Sequence, residues 1–204
     1  MDFYHDLVTQ KSWQLLQDLR RRFNFILIGG WAVFLYTHAL KSKDIDLVAE
    51  HADLEKLRQE FAIYKNDRLK KYEARSEEVE VDIYVPYYSN PGLPAEDLKN
   101  YVLSLEGFKV VEKEVLAILK QKALLARAGT AKGKKDLIDL IGLFRLGDFN
   151  WEKYRNLAVK YGLEDSLRFT HKTISQAISV EELGLNRHQF SRFKRKILPF
   201  FSSG

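Results

Sequence analysis

Phe25-Ile26-Leu27-Ile28-Gly29-Gly30-Trp31-Ala32, followed a helix length later by Ser42-Lys43-Asp44-Ile45-Asp46-Leu47-Val48, decides how the rest of this 204-residue chain is read. A short apolar run ends at two glycines, and apolar residues then resume at helical spacing over residues 31–40, which predicts a strand, a tight turn and a helix. Residues 44–48 alternate polar and apolar as a half-buried strand does, so Asp44 and Asp46 share one face while Ile45 and Leu47 take the other. A second alternating run, Val79-Glu80-Val81-Asp82-Ile83-Tyr84-Val85, is stopped by Pro86 and puts Glu80, Asp82 and Tyr84 opposite its apolar face. Residues 69–74 are its expected hairpin partner. If the two acidic strands pair, Asp82 or Glu80 joins the Asp44/Asp46 pair.

Outward from this centre, residues 4–22 carry Leu7, Leu15, Leu16 and Leu19 with Trp13 among charged residues, the pattern of an amphipathic helix. Residues 53–61 read as a short helix with Asp53 as its N-cap. Asn90, Pro91, Gly92 and Pro94 mark a loop, and Phe108-Lys109-Val110-Val111 is one more short strand. From Glu114 the periodicity turns helical: residues 114–127, a Gly/Ala/Lys linker, residues 134–146, then shorter helices. The expected architecture is α/β (α+β), with a mixed twisted sheet and flanking helices in residues 1–112 and a helical domain in residues 113–204 that is basic at its end.

Apolar residues make up 46% of the chain, enough for a sizeable core. There is no cysteine, which excludes disulfides, thiolate metal sites and a cysteine nucleophile and suits a cytoplasmic protein. No apolar stretch reaches the roughly 20 residues of a membrane span, and Met1-Asp2-Phe3-Tyr4-His5-Asp6 lacks signal-peptide features. The five histidines have no ligand spacing, and neither a nucleophile-elbow serine motif nor a P-loop lysine motif is present. Residues 151–204 hold ten Lys/Arg and five Asp/Glu, leaving 23 of each in residues 1–150, so the whole formal charge of +5 sits in the last quarter.

Three carboxylates on adjacent strands repel one another and raise each other's pKa unless a cation lies between them. Hard oxygen ligands suit Mg²⁺ or Mn²⁺, and a pair of such ions can activate an attacking hydroxyl and stabilise a leaving pyrophosphate. Gly29-Gly30, between a strand and a helix N-terminus, offers bare backbone N–H groups to phosphate oxygens. Each feature has an ordinary reading too: an Asp-x-Asp strand arises by chance, and a glycine pair can be only a tight turn.

The ordered set Ile28-Gly29-Gly30-Trp31-Ala32, Ser42-Lys43-Asp44-Ile45-Asp46-Leu47 and Val81-Asp82-Ile83 resembles the DNA polymerase β-like nucleotidyltransferase superfamily, over about residues 25–86. Leu119-Lys120-Gln121-Lys122-Ala123, Arg127 and Lys135-Asp136 with Asp139-Leu140 further resemble the AbiEii-like branch, which includes toxin components of toxin–antitoxin systems. The resemblance implies that Asp44, Asp46 and Asp82 hold metal, that Gly29, Gly30, Ser42 and Lys43 meet a nucleoside triphosphate such as ATP, and that Lys120 and Asp136 complete the site. Without it, Lys120 reads as a solvated lysine at the edge of the Leu116, Leu119, Ala123 and Ala126 stripe, and Asp136 and Asp139 as capping or salt-bridging residues. The chain departs from the family pattern at Gly30, where many members have serine, and at Leu40, where some have arginine; Lys41 or Lys43 would then supply the positive charge.

Arg187, Arg192, Lys194, Arg195 and Lys196 alternate with Phe190 and Phe193 in a stretch without acids. That pattern suits RNA phosphates with aromatic faces for stacking, or equally a solvated amphipathic helix. The expected activity is metal-dependent transfer of a nucleoside monophosphate to an acceptor hydroxyl on tRNA, on protein or on a small molecule such as an aminoglycoside, with a cognate antitoxin as possible partner. The alternative is a catalytically inactive module of the same fold that binds RNA or protein.

Overall fold

The computed structural model describes residues 2–76 and 78–202; Met1, Glu77 and residues 203–204 lie outside the description. Contacts divide the chain into two compact units, Met1–Glu112 and Lys113–Gly204. The first unit runs α1 (Asp2–Arg22), β1 (Ile26–Ile28), α2 (Gly29–Thr37), β2 (Ile45–Val48), α3 (His51–Arg58), β3 (Ile63–Asn66), β4 (Lys71–Ser76), β5 (Val79–Tyr84), α4 (Ala95–Leu98), β6 (Val102–Leu105) and β7 (Phe108–Val111).

Its strands form one seven-stranded mixed sheet in the order β3-β4-β5-β2-β1-β7-β6. β2 lies parallel to β5 and antiparallel to β1, and β1 lies parallel to β7. Parallel neighbours need a crossover, and β2 reaches β5 through α3 and the β3–β4 hairpin. Paired residues share a face, so the register aligns Asp46, Asp82, Glu73 and Tyr64 in one row across four strands. The opposite face holds Ile45, Leu47, Val81, Ile83 and Ala74, all buried. The strong alternation of β5, with every second residue apolar, is the physical cause: burying one set obliges the acidic set to face away.

Trp31 anchors α2 against α1. Its ring lies 4.9 Å from Trp13, and its indole N–H donates to Ser12 Oγ at 2.8 Å, so the buried polar atom is satisfied. The predicted helix over 31–40 in fact spans Gly29–Thr37, ending where His38 turns left-handed with φ 50° and donates its N–H to Phe34 O. Glu50, not Asp53, occupies the N-cap of α3; Asp53 lies in the first turn, nearly buried, and accepts from Lys56 Nζ at 2.9 Å. β3 and β6 were not foreseen, because Ile63-Tyr64-Lys65-Asn66 and Val102-Leu103-Ser104-Leu105 are sheet edges with little buried surface and hence no marked alternation.

The second unit comprises α5 (Lys113–Ala126), α6 (Ala131–Phe144), α7 (Trp151–Lys160), α8 (Glu164–Gln176), α9 (Arg187–Ile197) and α10 (Pro199–Ser202). The expected Gly/Ala/Lys linker is only a brief turn: Thr130 caps α6 by accepting from Gly133 N at 3.1 Å, drawing residues 131–134 into the helix. An aromatic cluster of Phe144, Phe149, Trp151, Tyr154 and Phe201 forms much of this core. Among the described residues no helix is long and apolar enough to cross a membrane.

Candidate active site

Gly29 stands at the junction of β1 and α2 with φ +68°, a left-handed conformation that suits glycine. A Cβ built there would lie 2.0 Å from Asp46 Oδ2, so the bare backbone of the turn and the Asp46 carboxylate are in direct contact. Gly30 is buried in the first turn of α2. Gly29 therefore has two separate reasons to be there: the turn requires the positive φ, and the neighbouring carboxylate takes the space of a side chain.

Asp46 and Asp82 are register partners in parallel strands. Burial first, and then the negative charge of Asp46, pushes the Asp82 carboxyl up from its usual value near 3.8 to about 6, against the opposing pull of Lys71. Lys71, on β4, lies 2.6 Å from Asp82 Oδ2 and 2.9 Å from Glu73 Oε1. Burial draws the Lys71 ammonium down, but its hydrogen bonds to Asp82 and Glu73 outweigh that and leave it raised. Both partners of this ion pair thus shift upward. For the acid, desolvation and a like-charged neighbour exceed the attraction of one ammonium.

Asp44 lies in the bend just before β2, half-buried, with Ser42 buried and Lys43 half-buried beside it in sequence. Among the described residues no group of three or more His, Cys, Asp and Glu is gathered so as to hold a metal ion. The donors at the centre are nevertheless hard carboxylate oxygens of the kind that suit a small divalent cation, although Lys71 already places a positive charge against Asp82. Glu80 is on the same face of β5 but is exposed and pairs in register with Arg75, further along the strand.

The second unit contains its own buried ionic cluster. Lys120 Nζ lies 3.2 Å from Asp136 Oδ1 and 2.6 Å from Asp139 Oδ2, and Arg127 Nη2 lies 2.8 Å from Asp136 Oδ2. Lys120 is 8% exposed and both aspartates 2%, so the expectation of a solvated lysine is wrong: the side chain turns inward because two carboxylates await it. Asp136 Oδ2, Asp139 Oδ2 and Arg127 Nε lack hydrogen bonds of good geometry despite the short ion-pair distances. Lys120 Nζ does donate to Asp136 Oδ1 at 3.2 Å, so the cluster combines one directional hydrogen bond with coulombic attraction at the remaining oxygens.

In the C-terminal stretch, Arg187, Arg192, Arg195 and Lys196 are exposed on α9. Lys194 is not available in the same way, since its ammonium donates to Ser175 O at 2.9 Å and Ala177 O at 2.7 Å. Of the two expected aromatic stacking faces, that of Phe190 is corrected, while Phe193 is half-buried. Phe190 is fully buried and packs on Phe193 with centroids 6.0 Å apart, which makes it a core residue of an amphipathic helix.

Lys71 and Glu73 join the site without having been expected there from the sequence. Their signal was present in the alternation of Lys71, Glu73 and Arg75, but only the antiparallel register of β4 on β5 brings that face beside Asp82. The salt-bridging reading of Asp136 and Asp139 holds, with Lys120 and Arg127 as their partners.

No protein-family model and no curated protein matches this sequence. Solved structures do match the fold. A candidate nucleotidyltransferase from H. pylori is 16% identical with a TM-score of 0.53, covering 97% of this chain and 98% of that one. JHP933 from Helicobacter pylori is 17% identical with a TM-score of 0.51, covering 93% of each chain. ANT(2")-Ia, solved in complex with adenylyl-2"-tobramycin, is 13% identical with a TM-score of 0.51, covering 76% of this chain and 97% of that one. At these identities the likeness is one of architecture: the mixed sheet with its helices is a nucleotidyltransferase-like fold.

Proposed function

We propose that the chain is a metal-dependent nucleotidyltransferase that moves a nucleoside monophosphate from a triphosphate to an acceptor hydroxyl. The observation that carries this reading is the pairing of Asp46 with Asp82 across two parallel strands, with the Gly29 turn against Asp46. Asp46 and Asp82 would hold the cation, with Asp44 as the further carboxylate of the set. When bound, a divalent ion such as Mg²⁺ or Mn²⁺ would neutralise phosphate oxygens and favour ionisation of the acceptor hydroxyl. The chain's own residues contribute position and charge: Gly29 and Gly30 admit the triphosphate close to the main chain, Ser42 and Lys43 flank it, and Asp82 accepts the proton of the attacking hydroxyl or holds the ion.

The Lys120 and Asp136 motif and the basic α9 support a finer version, in which the acceptor is tRNA or protein and the chain acts as the toxin of a pair with a cognate antitoxin, as the AbiEii-like resemblance implies. The test is incubation of the protein with each labelled nucleoside triphosphate and Mg²⁺, with total tRNA, with an aminoglycoside, or alone. Label should pass to one of these acceptors and disappear with Asp46→Asn and with Asp82→Asn. Transfer that persists in both variants would falsify the assignment.

A second reading has its own support. Lys71 lies on Asp82, and no three-carboxylate group is assembled among the described residues, as suits a nucleotidyltransferase-like module without turnover. Calorimetry with ATP, GTP, CTP and UTP separates the two: an inactive module binds none of them in a metal-dependent way.

A further inference from the structure

Strand β4 holds Lys71 on the same face as Glu73, opposite Asp82. A lysine at a sheet surface ordinarily extends its ammonium into water, yet this side chain is only 12% exposed and is folded against Asp82 at 2.6 Å and Glu73 at 2.9 Å. Asp46 and Asp82 are side by side in register. Two carboxylates so placed need positive charge nearby, and in this structure an ammonium from the protein itself supplies it.

We infer that Lys71 is a built-in counter-ion of the carboxylate pair: it competes with a divalent cation for Asp82, and once displaced it serves the anionic substrate. The inference rests on the reading of Asp46 and Asp82 as metal-holding residues. An ammonium within hydrogen-bonding distance of Asp82 Oδ2 and a divalent ion on the same oxygen repel each other, so the free protein holds metal weakly. The four-carbon stem gives the displaced ammonium reach, and Glu73 keeps it near the site. A triphosphate that accepts the released charge therefore favours metal loading, and the metal favours the triphosphate by the same factor, as linkage requires.

The coupling gives Lys71 a signature that a purely structural lysine would lack, because removing its charge moves two affinities in opposite directions. In the full-length chain, Lys71→Met should bind Mn²⁺ alone about 10-fold more tightly than the unsubstituted protein, followed by the electron paramagnetic resonance of free Mn²⁺. The same variant should bind ATP at saturating Mg²⁺ about 10-fold more weakly by calorimetry. Lys71→Arg keeps the charge and should stay near the unsubstituted values. Lys71→Gln should move in the same two directions as Lys71→Met, and covers the event that methionine impairs folding. Lys65→Met, which removes a lysine paired with Asp67 on β3, should change neither affinity.

If Lys71→Met and Lys71→Gln bind Mn²⁺ no more tightly than the unsubstituted chain while Asp82→Asn abolishes binding, the counter-ion role is overturned and the metal site stands. Mn²⁺ binding by Lys71→Met that survives both Asp46→Asn and Asp82→Asn overturns the two together. Tighter Mn²⁺ binding without weaker ATP binding overturns the handover of Lys71 to the substrate.

Discussion

At Gly29 one hydrogen atom stands where any other residue has a carbon, and both the backbone and a neighbouring side chain depend on it. Its φ of +68° costs an L-residue about 1–2 kcal/mol, and a Cβ there would lie 2.0 Å from Asp46 Oδ2, so the carboxylate has to move as well. Gly162 has a similar φ of +63° but nothing within 4 Å of its would-be Cβ. Gly162→Ala should therefore cost only about 1 kcal/mol, whereas Gly29→Ala should cost roughly 3 kcal/mol or more, since strain and displacement of Asp46 add. Equal losses of thermal stability would show that the Asp46 contact is unimportant. Asp82 makes a second residue-scale prediction. Its folded-state pKa of about 6 lies above the 3.8 of a free carboxyl, so the folded state binds that proton more tightly than the unfolded chain does. The resulting contribution is fully present below about 3.8 and is lost as pH rises through about 6. In the presence of a chelator, Asp82→Asn should gain stability relative to the unsubstituted protein between pH 4.5 and 7.5, on the order of 2 kcal/mol; Lys71 retains Glu73 as partner in that variant. A stability difference that stays flat across this pH range would refute the raised pKa.

Helix α9 shows how an element can be legible in kind while packing decides which of its side chains stay accessible. Its sequence has the start signal of a helix, Asn186 followed by Gln189, and the structure forms the full capping box: Asn186 accepts from Gln189 N, and Gln189 accepts from Asn186 N. Asn186→Ala should lower stability by about 1 kcal/mol without altering ligand binding, measured by chemical denaturation. The alternation of cations and phenylalanines was equally legible, but two outcomes fit it, ring faces open to bases or ring faces buried under cations. Burial decides for the second at Phe190, while Phe193 is only half-buried. Similar ambiguity applied to α5 and α6. Lys120 lay at the border of an apolar stripe, and whether such a lysine leans outward or inward depends on what the neighbouring helix offers. Asp136 and Asp139, at i and i+3 on one face of α6, make inward the better direction.

The first 150 residues are neutral in formal charge and the last 54 carry all of the +5. If an RNA acceptor binds through that end, affinity should fall steeply with salt, and Arg192→Ala with Arg195→Ala should reduce the slope of log K against log salt by roughly 0.7 for each cation removed. A slope unchanged by both substitutions would exclude these arginines from phosphate contact. The sequence alone determined the α/β class, the strand–glycine turn–helix–strand order, the face-sharing of Glu80 with Asp82, and the helical character of residues after 113, because strand and helix periodicities are local and survive in any single chain; Asp44, read as part of the strand, lies in the bend before β2. Pairing is not local. Whether Asp82 or Glu80 stands next to Asp46, whether a lysine from a weakly patterned hairpin reaches Asp82, and whether Lys120 is buried all depend on register and helix packing between residues distant in the chain. Those were settled only when β2, β4 and β5 came together in one sheet and α5 met α6, since the burial of many apolar side chains at once, not the preference of any single residue, selects the register.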